Sequence, residues 1–193
     1  MKRNRLEAFS DGVLAIVITI MVLEMQAPVR AADLSDLRPL LPVFLSYVLS
    51  FVYIGIYWNN HHHLFHVVRR PSAGIMWANH HLLFWLSLIP FVTAWMGSND
   101  FAAIPIALYG VVLFMASIAY WLLTRAIVRA HGKSSLLARA LGRDLKGRVS
   151  TLLYLGAIPT SLYDRRIAGA VYVGVALLWL LPDRRIERAL EEE

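Results

Sequence analysis

Six apolar runs, separated by short charged connectors, decide what this chain can fold into. They fall at 7–27, 39–60, 73–97, 102–127, 148–163 and 166–182. Backbone groups in hydrocarbon must satisfy one another, and a continuous helix does this within a single segment. At about 1.5 Å of rise per residue, runs of this kind can cross about 30 Å of hydrocarbon, although the fifth and sixth are short. Of the 193 residues, 58% are hydrophobic and only 17% are charged. The expectation is an all-α integral membrane protein, one domain over 1–193 with six transmembrane helices.

The charges between the runs orient it. Fifteen of the nineteen Lys and Arg residues fall in the N-terminal segment, the second and fourth connectors and the C-terminal segment, and only Arg30, Arg38, Arg165 and Arg166 fall on the opposite side. Basic residues collect in cytoplasmic loops during insertion, so both termini are expected in the cytoplasm and the chain in the cell (inner) membrane. The same rule explains a pI near 9.9. A nucleic-acid reading of the basic stretch 128–147 lacks interleaved aromatics. Its Leu136, Leu137, Ala140 and Leu141 instead share one face of a short amphipathic helix suited to the membrane surface. In the first connector, Asp33 or Ser35 is placed to cap a short helical turn, and Asp164-Arg165-Arg166 reads as a tight hairpin turn.

A signal peptide is the competing reading of the first run, with Lys2, Arg3 and Arg5 ahead of it and Val29-Arg30-Ala31 as a loose cleavage site. Glu7 and Asp11 put acid where such a segment is basic, and Pro28 and Arg30 crowd the cleavage position. The run is therefore read as a retained helix.

Chemistry is harder to place. With no cysteine, thiolate nucleophiles and disulfides are out of reach. Six of the seven histidines cluster as His61, His62, His63, His66, His80 and His81. Adjacent histidines on a helix point about 100° apart and cannot share one ion; only His62 and His66 have ligand spacing. No acidic residue lies between 39 and 97 to complete a hard-metal site. Motifs of serine hydrolases and P-loop enzymes are missing, as is a TVGYG-type carbonyl filter. No enzymatic activity, bound metal or cofactor is expected. The first helix is the remaining candidate. Arg5, Ser10 and Asp11 stand at its mouth, and Ile16, Thr19, Ile20 and Leu23 fall within a sector of about 100°. By spacing alone, that sector is either a pore lining or an ordinary packing face.

Three segments carry a resemblance. RLEAFSD at 5–11, containing Arg5, Phe9, Ser10 and Asp11, matches an RxxxFSD signature at the head of a membrane helix; WNNHHHLF at 58–65 resembles W-x-N-H-H-x-L-F; and WANHHLLFWLSLIPFVTAW at 77–95 resembles the third helix of the same family. Together they resemble the bacterial branch of the transmembrane protein 175 family of potassium channels, over about the first hundred residues. That resemblance implies a homotetramer with a central pore lined by the first helix. It implies pore-facing rings at Ile16, Ile20 and Leu23, with Ile16 tightest, and a hydroxyl ring at Thr19 contributing to potassium preference. It further implies a supporting polar network of Arg5, Ser10, Asp11, Trp58, His61, His62 and Asn79. Potassium is then the permeant ion, and the partners are further copies of the chain and the lipid bilayer. Glu24 is either an outer acidic ring or a partner of Arg30 or Arg38. A buried Asp11 would call for a charged partner such as Arg5 or a histidine. The main alternative is a secondary or proton-coupled transporter using Asp11 and the histidine clusters, with a membrane metalloenzyme third.

Overall fold

In the computed structural model, which describes residues 2–27, 33–66, 68, 70–131 and 144–180, the chain is all helical. The helices are α1 (Arg3–Leu23), α2 (Leu41–His66), α3 (Ala73–Ser87), α4 (Ile89–Ser98), α5 (Ala103–His131), α6 (Leu145–Tyr163) and α7 (Arg165–Leu180). The amphipathic turn expected at 134–143, Arg30 and the C-terminal basic and acidic residues lie outside the described residues.

Local sequence sets the boundaries. A 3-10 turn, Leu34–Leu40, leads into α2, and Asp33 with Asp36 forms a capping box at its start; Ser35 lies inside the turn and not at its cap. Between α3 and α4 stands Leu88, two residues before Pro90. A proline has no N–H to offer the preceding turn, and the Leu88 N–H turns to the Trp85 carbonyl at 3.2 Å. Taken together, the two pieces form one stretch, Ala73–Ser98, long and apolar enough to cross a membrane. Asp144 caps α6 by accepting from the Gly147 N–H at 2.9 Å. Asp164 alone separates α6 from α7, and its carboxylate accepts from the Arg166 N–H at 2.8 Å. Arg3–Leu23, Leu34–His66, Ala73–Ser98 and Ala103–Ala130 are long and apolar enough to cross a membrane.

Helix α5 is the hub, packed against α3, α4 and α6. Its Ile106, Tyr109, Leu113, Ala116, Ala119, Leu123 and Ile127 are all buried. On α2 the buried positions Ser46, Ser50, Tyr53, Tyr57, His61 and Leu64 recur every three to four residues, one stripe of a helix. Lipid supplies little hydrophobic drive between helices, so close approach and hydrogen bonds hold the bundle. Gly97 provides the close approach of α4 to α2, since a Cβ there would lie 2.7 Å from Val43 Cα. The bonds run through the core. Ser50 Oγ meets Thr93 Oγ1 at 2.6 Å and Tyr109 Oη at 3.1 Å; Tyr53 donates to the Tyr172 carbonyl at 2.6 Å; Tyr154 donates to Tyr53 at 3.3 Å. Each of these buried hydroxyls thus has a partner, which avoids the cost of an unpaired polar group in hydrocarbon.

The ends of the bundle differ. Arg3 donates to the His66 carbonyl at 3.0 Å, which brings the start of α1 beside the end of α2. Tyr120 donates to the Asn60 carbonyl at 3.5 Å, and Lys146 lies over the Trp179 ring. Lys2, Arg3, Arg5, Arg70, Arg125, Arg129, Lys146 and Arg148 therefore gather at one end. At the other, Arg165 donates to the carbonyls of Asp100 and Phe101, both in the left-handed region at φ 48° and 55°.

Candidate functional site

Helix α1 buries one face and exposes the other. Leu6, Ser10, Leu14, Val17 and Met21 are buried against α2, α3 and α4. Roughly 130° away around the helix stand Ile16, Thr19, Ile20 and Leu23, all exposed, Ile16 at 60% and Leu23 at 71%. Thr19 Oγ1 donates its proton to the Ala15 carbonyl at 2.9 Å. That bond leaves the oxygen's acceptor side outward on the exposed face. Glu24, at the C-cap, is exposed and forms no ion pair with Arg38 among the described residues.

Behind α1 a short chain of hydrogen bonds ties three helices together. Ser10 Oγ donates to its own helix at the Leu6 carbonyl, 2.9 Å, and accepts from Asn79 Nδ2 of α3 at 2.9 Å. Asn79 Oδ1 bonds His61 Nε2 of α2 at 2.7 Å. Ser10, His61 and Asn79 are all buried, and the His61 ring stacks on Phe65 with centroids 4.3 Å apart. Since Asn79 Oδ1 only accepts, the arrangement requires the proton on His61 Nε2. A second, more exposed link runs from Trp58 Nε1 to Asp11 Oδ1 at 3.1 Å. Phe9, half exposed, stacks on His80 with centroids 5.5 Å apart.

Two residues stand apart from this network. Arg5 is exposed and joins none of these bonds, for a geometric reason: five residues before Ser10, it points about 140° away, in line with Ile16 and Leu23. Arg3 takes the ionic contact at this end, reaching Glu7 at 3.2 Å. His62 is also exposed; one position past His61, its ring lies 6.4 Å from Trp58 and 6.4 Å from His66. Asp11, exposed and bonded to a neutral indole, has no need of a charged partner. The described residues hold no group of three potential metal ligands.

The site is thus a stripe of apolar residues broken by one hydroxyl, on a helix braced from behind by Ser10, Asn79 and His61. A family model described as "Endosomal/lysosomal potassium channel TMEM175" matches residues 5–90, which contain α2, α3 and all but the first two residues of α1. A protein named as a potassium channel from Chryseobacterium sp. (strain P1-3) is 51% identical over 192 residues, covering 100% of both chains. The chain belongs to the TMEM175 family. Another potassium channel by name, from Streptomyces collinus, is 36% identical over 134 residues, 63% of this chain and 65% of that one. The fold agrees with the crystal structure of a lysosomal potassium-selective channel TMEM175 homolog from Chamaesiphon minutus. The TM-score is 0.80 at 28% identity, over 94% of this chain and 97% of that one. The α6–α7 hairpin thus belongs to the TMEM175 fold, although the family model ends before it.

Sequence reasoning missed the polar core around Ser50, Thr93, Tyr53 and Tyr109. Small and hydroxyl side chains at helical spacing, Ser46, Ser50 and Tyr53 on α2 with Tyr109 on α5, are the signal that marks it.

Proposed function

We propose that four copies of this chain form a potassium-preferring cation channel in the inner membrane, conducting along an axis lined by the exposed stripe of α1. The observation that carries this reading is that stripe. Ile16, Ile20 and Leu23 are large apolar side chains left open on a helix whose opposite face is fully packed. A single stripe cannot enclose a pore, so rotation about an axis must supply the rest. The relatives' names favour a channel over a coupled carrier.

Each residue then has a role. Four Ile16 side chains form the tightest ring, and Ile20 and Leu23 form further rings within about 10 Å along the axis. Such rings close by steric contact and dewetting and discriminate weakly among cations. Thr19 adds the preference: with its proton held by Ala15, four outward oxygens replace part of the ion's water. Glu24 forms an acidic ring at the outer mouth. The Ser10–Asn79–His61 chain and the Asp11–Trp58 bond hold α1 at a fixed rotation, so that the same side chains keep facing the axis. The α6–α7 hairpin supplies the fifth and sixth passes, and the basic end of the bundle is cytoplasmic. No resident cofactor is needed, because the ion is cargo.

Flux from liposomes holding the purified protein tests this. Wild-type protein should pass potassium faster than sodium. Ile16→Asn should raise flux by about tenfold for each 1.4 kcal/mol removed from the barrier. Unchanged flux in a correctly assembled Ile16→Asn protein would remove Ile16 from the gate.

A further inference from the structure

A cavity of about 630 Å³ lies away from α1, between α2, α5, α6 and α7. This is well within the size range of small-molecule sites. It runs from Tyr53, midway along α2, to Asn60, with Trp121, Tyr154 and Trp179 among its walls. Four of its hydroxyls, those of Tyr53, Ser150, Thr151 and Tyr154, are bonded within the protein. Tyr53 donates to Tyr172, Tyr154 to Tyr53 and Thr151 to Ser117, while Ser150 Oγ accepts from Trp179 Nε1 at 2.8 Å. What faces inward is chiefly ring and alkyl surface, and a cavity of that kind holds hydrocarbon better than water.

The mouth has the opposite character. Arg125 lies 4.1 Å over the Trp121 ring, and Lys146 lies 5.3 Å over Trp179, so both cations are held at the rim. Arg125 and Arg148 line the cavity and are exposed. Among the described residues that line the cavity, Arg125 and Arg148 stand against one carboxylate, Asp144, which is engaged in capping α6. The balance at the mouth is positive. Rim residues Trp121 and Leu152 are 39% and 67% exposed, so the cavity opens on the bundle surface.

We infer that this cavity binds an anionic phospholipid of the surrounding leaflet, with an acyl chain among Tyr53, Tyr154 and Trp179 and the phosphate on Arg125 and Arg148. A dry aromatic body with a cationic rim at the basic end of the bundle fits that amphiphile. A zwitterionic lipid brings its own cation against the arginines, and a soluble anion leaves the body unfilled. The inference rests only on the chain lying in a membrane, not on what α1 conducts.

Native mass spectrometry of the full-length protein in mild detergent, titrated with phosphatidylglycerol or phosphatidylcholine, tests it. Phosphatidylglycerol should bind at one copy per chain and phosphatidylcholine markedly more weakly. Each basic residue near an anionic headgroup is worth about fivefold, so Arg125→Gln with Arg148→Gln should weaken binding about thirtyfold. The Arg125→Lys with Arg148→Lys pair should restore most of it. Both arginines are exposed, so these variants leave the fold intact. Equal binding of the two lipids, or no loss in the glutamine pair, would overturn the inference. Displacement of the lipid by inorganic phosphate alone would also overturn it, by assigning the site to a free anion.

Discussion

Asn79 is the residue on which the bracing of α1 depends. Fully buried, it accepts or donates toward two helices at once, through His61 and Ser10. Asn79→Leu fills the space but leaves two buried polar partners unanswered. The expected cost is about 2 kcal/mol, a fall of roughly 4–8 °C in the melting temperature of the purified protein. Asp11→Asn keeps an acceptor for Trp58 at an exposed position and should shift stability by less than about 0.5 kcal/mol. Thermal melts of the two variants side by side check this, and equal losses would contradict it. The members of this network are legible in the sequence because polar side chains inside apolar runs have few places to go. Which of them meet is less so. Arg5 belongs to the same motif as Ser10 yet points to the opposite side, and His62 beside His61 faces out; both follow from 100° of rotation per residue, once the buried face is known.

At the scale of the helix, each apolar run overlaps a helix, or the α3–α4 pair at 73–97, with ends displaced by up to six residues, as where the run ending at 60 continues as α2 to His66. The run at 7–27 corresponds to a helix that begins at Arg3, and the run at 148–163 to one that begins at Leu145, where Asp144 caps it. Capping by Asp144 sets the start of α6 and proline chemistry the break at Leu88, whereas α1 starts at Arg3 with no side-chain cap. The face each helix buries is harder to read when it is apolar all round. On α4 the clue is Gly97, which lies against the α2 backbone. Gly97→Val should force the two helices apart and cost about 1–3 kcal/mol or more, measured as a lowered melting temperature. An unchanged melt would mean the helices separate there at no cost.

Across the whole molecule the two sets of exposed features lie on different elements. The α1 stripe faces away from the helices that bury its other side, while the aromatic cavity sits between α2, α5, α6 and α7 with its charged rim at the basic end. The hydroxyl-rich core linking Ser50, Thr93, Tyr53, Tyr109 and Tyr172 joins α2, α4, α5 and α7 into one body on which α1 is mounted. The exposed face of α1 is proposed to line the conduction path. The chain contains no cysteine, so a single introduced thiol is the only one present. The most direct measurement is potassium flux from liposomes holding Leu23→Cys, before and after a positively charged methanethiosulfonate reagent. Leu34→Cys, on the exposed connector, serves as the labelled control. Labelling should stop flux in Leu23→Cys and leave it unchanged in Leu34→Cys; undiminished flux through fully labelled Leu23→Cys protein would contradict a pore lined by α1.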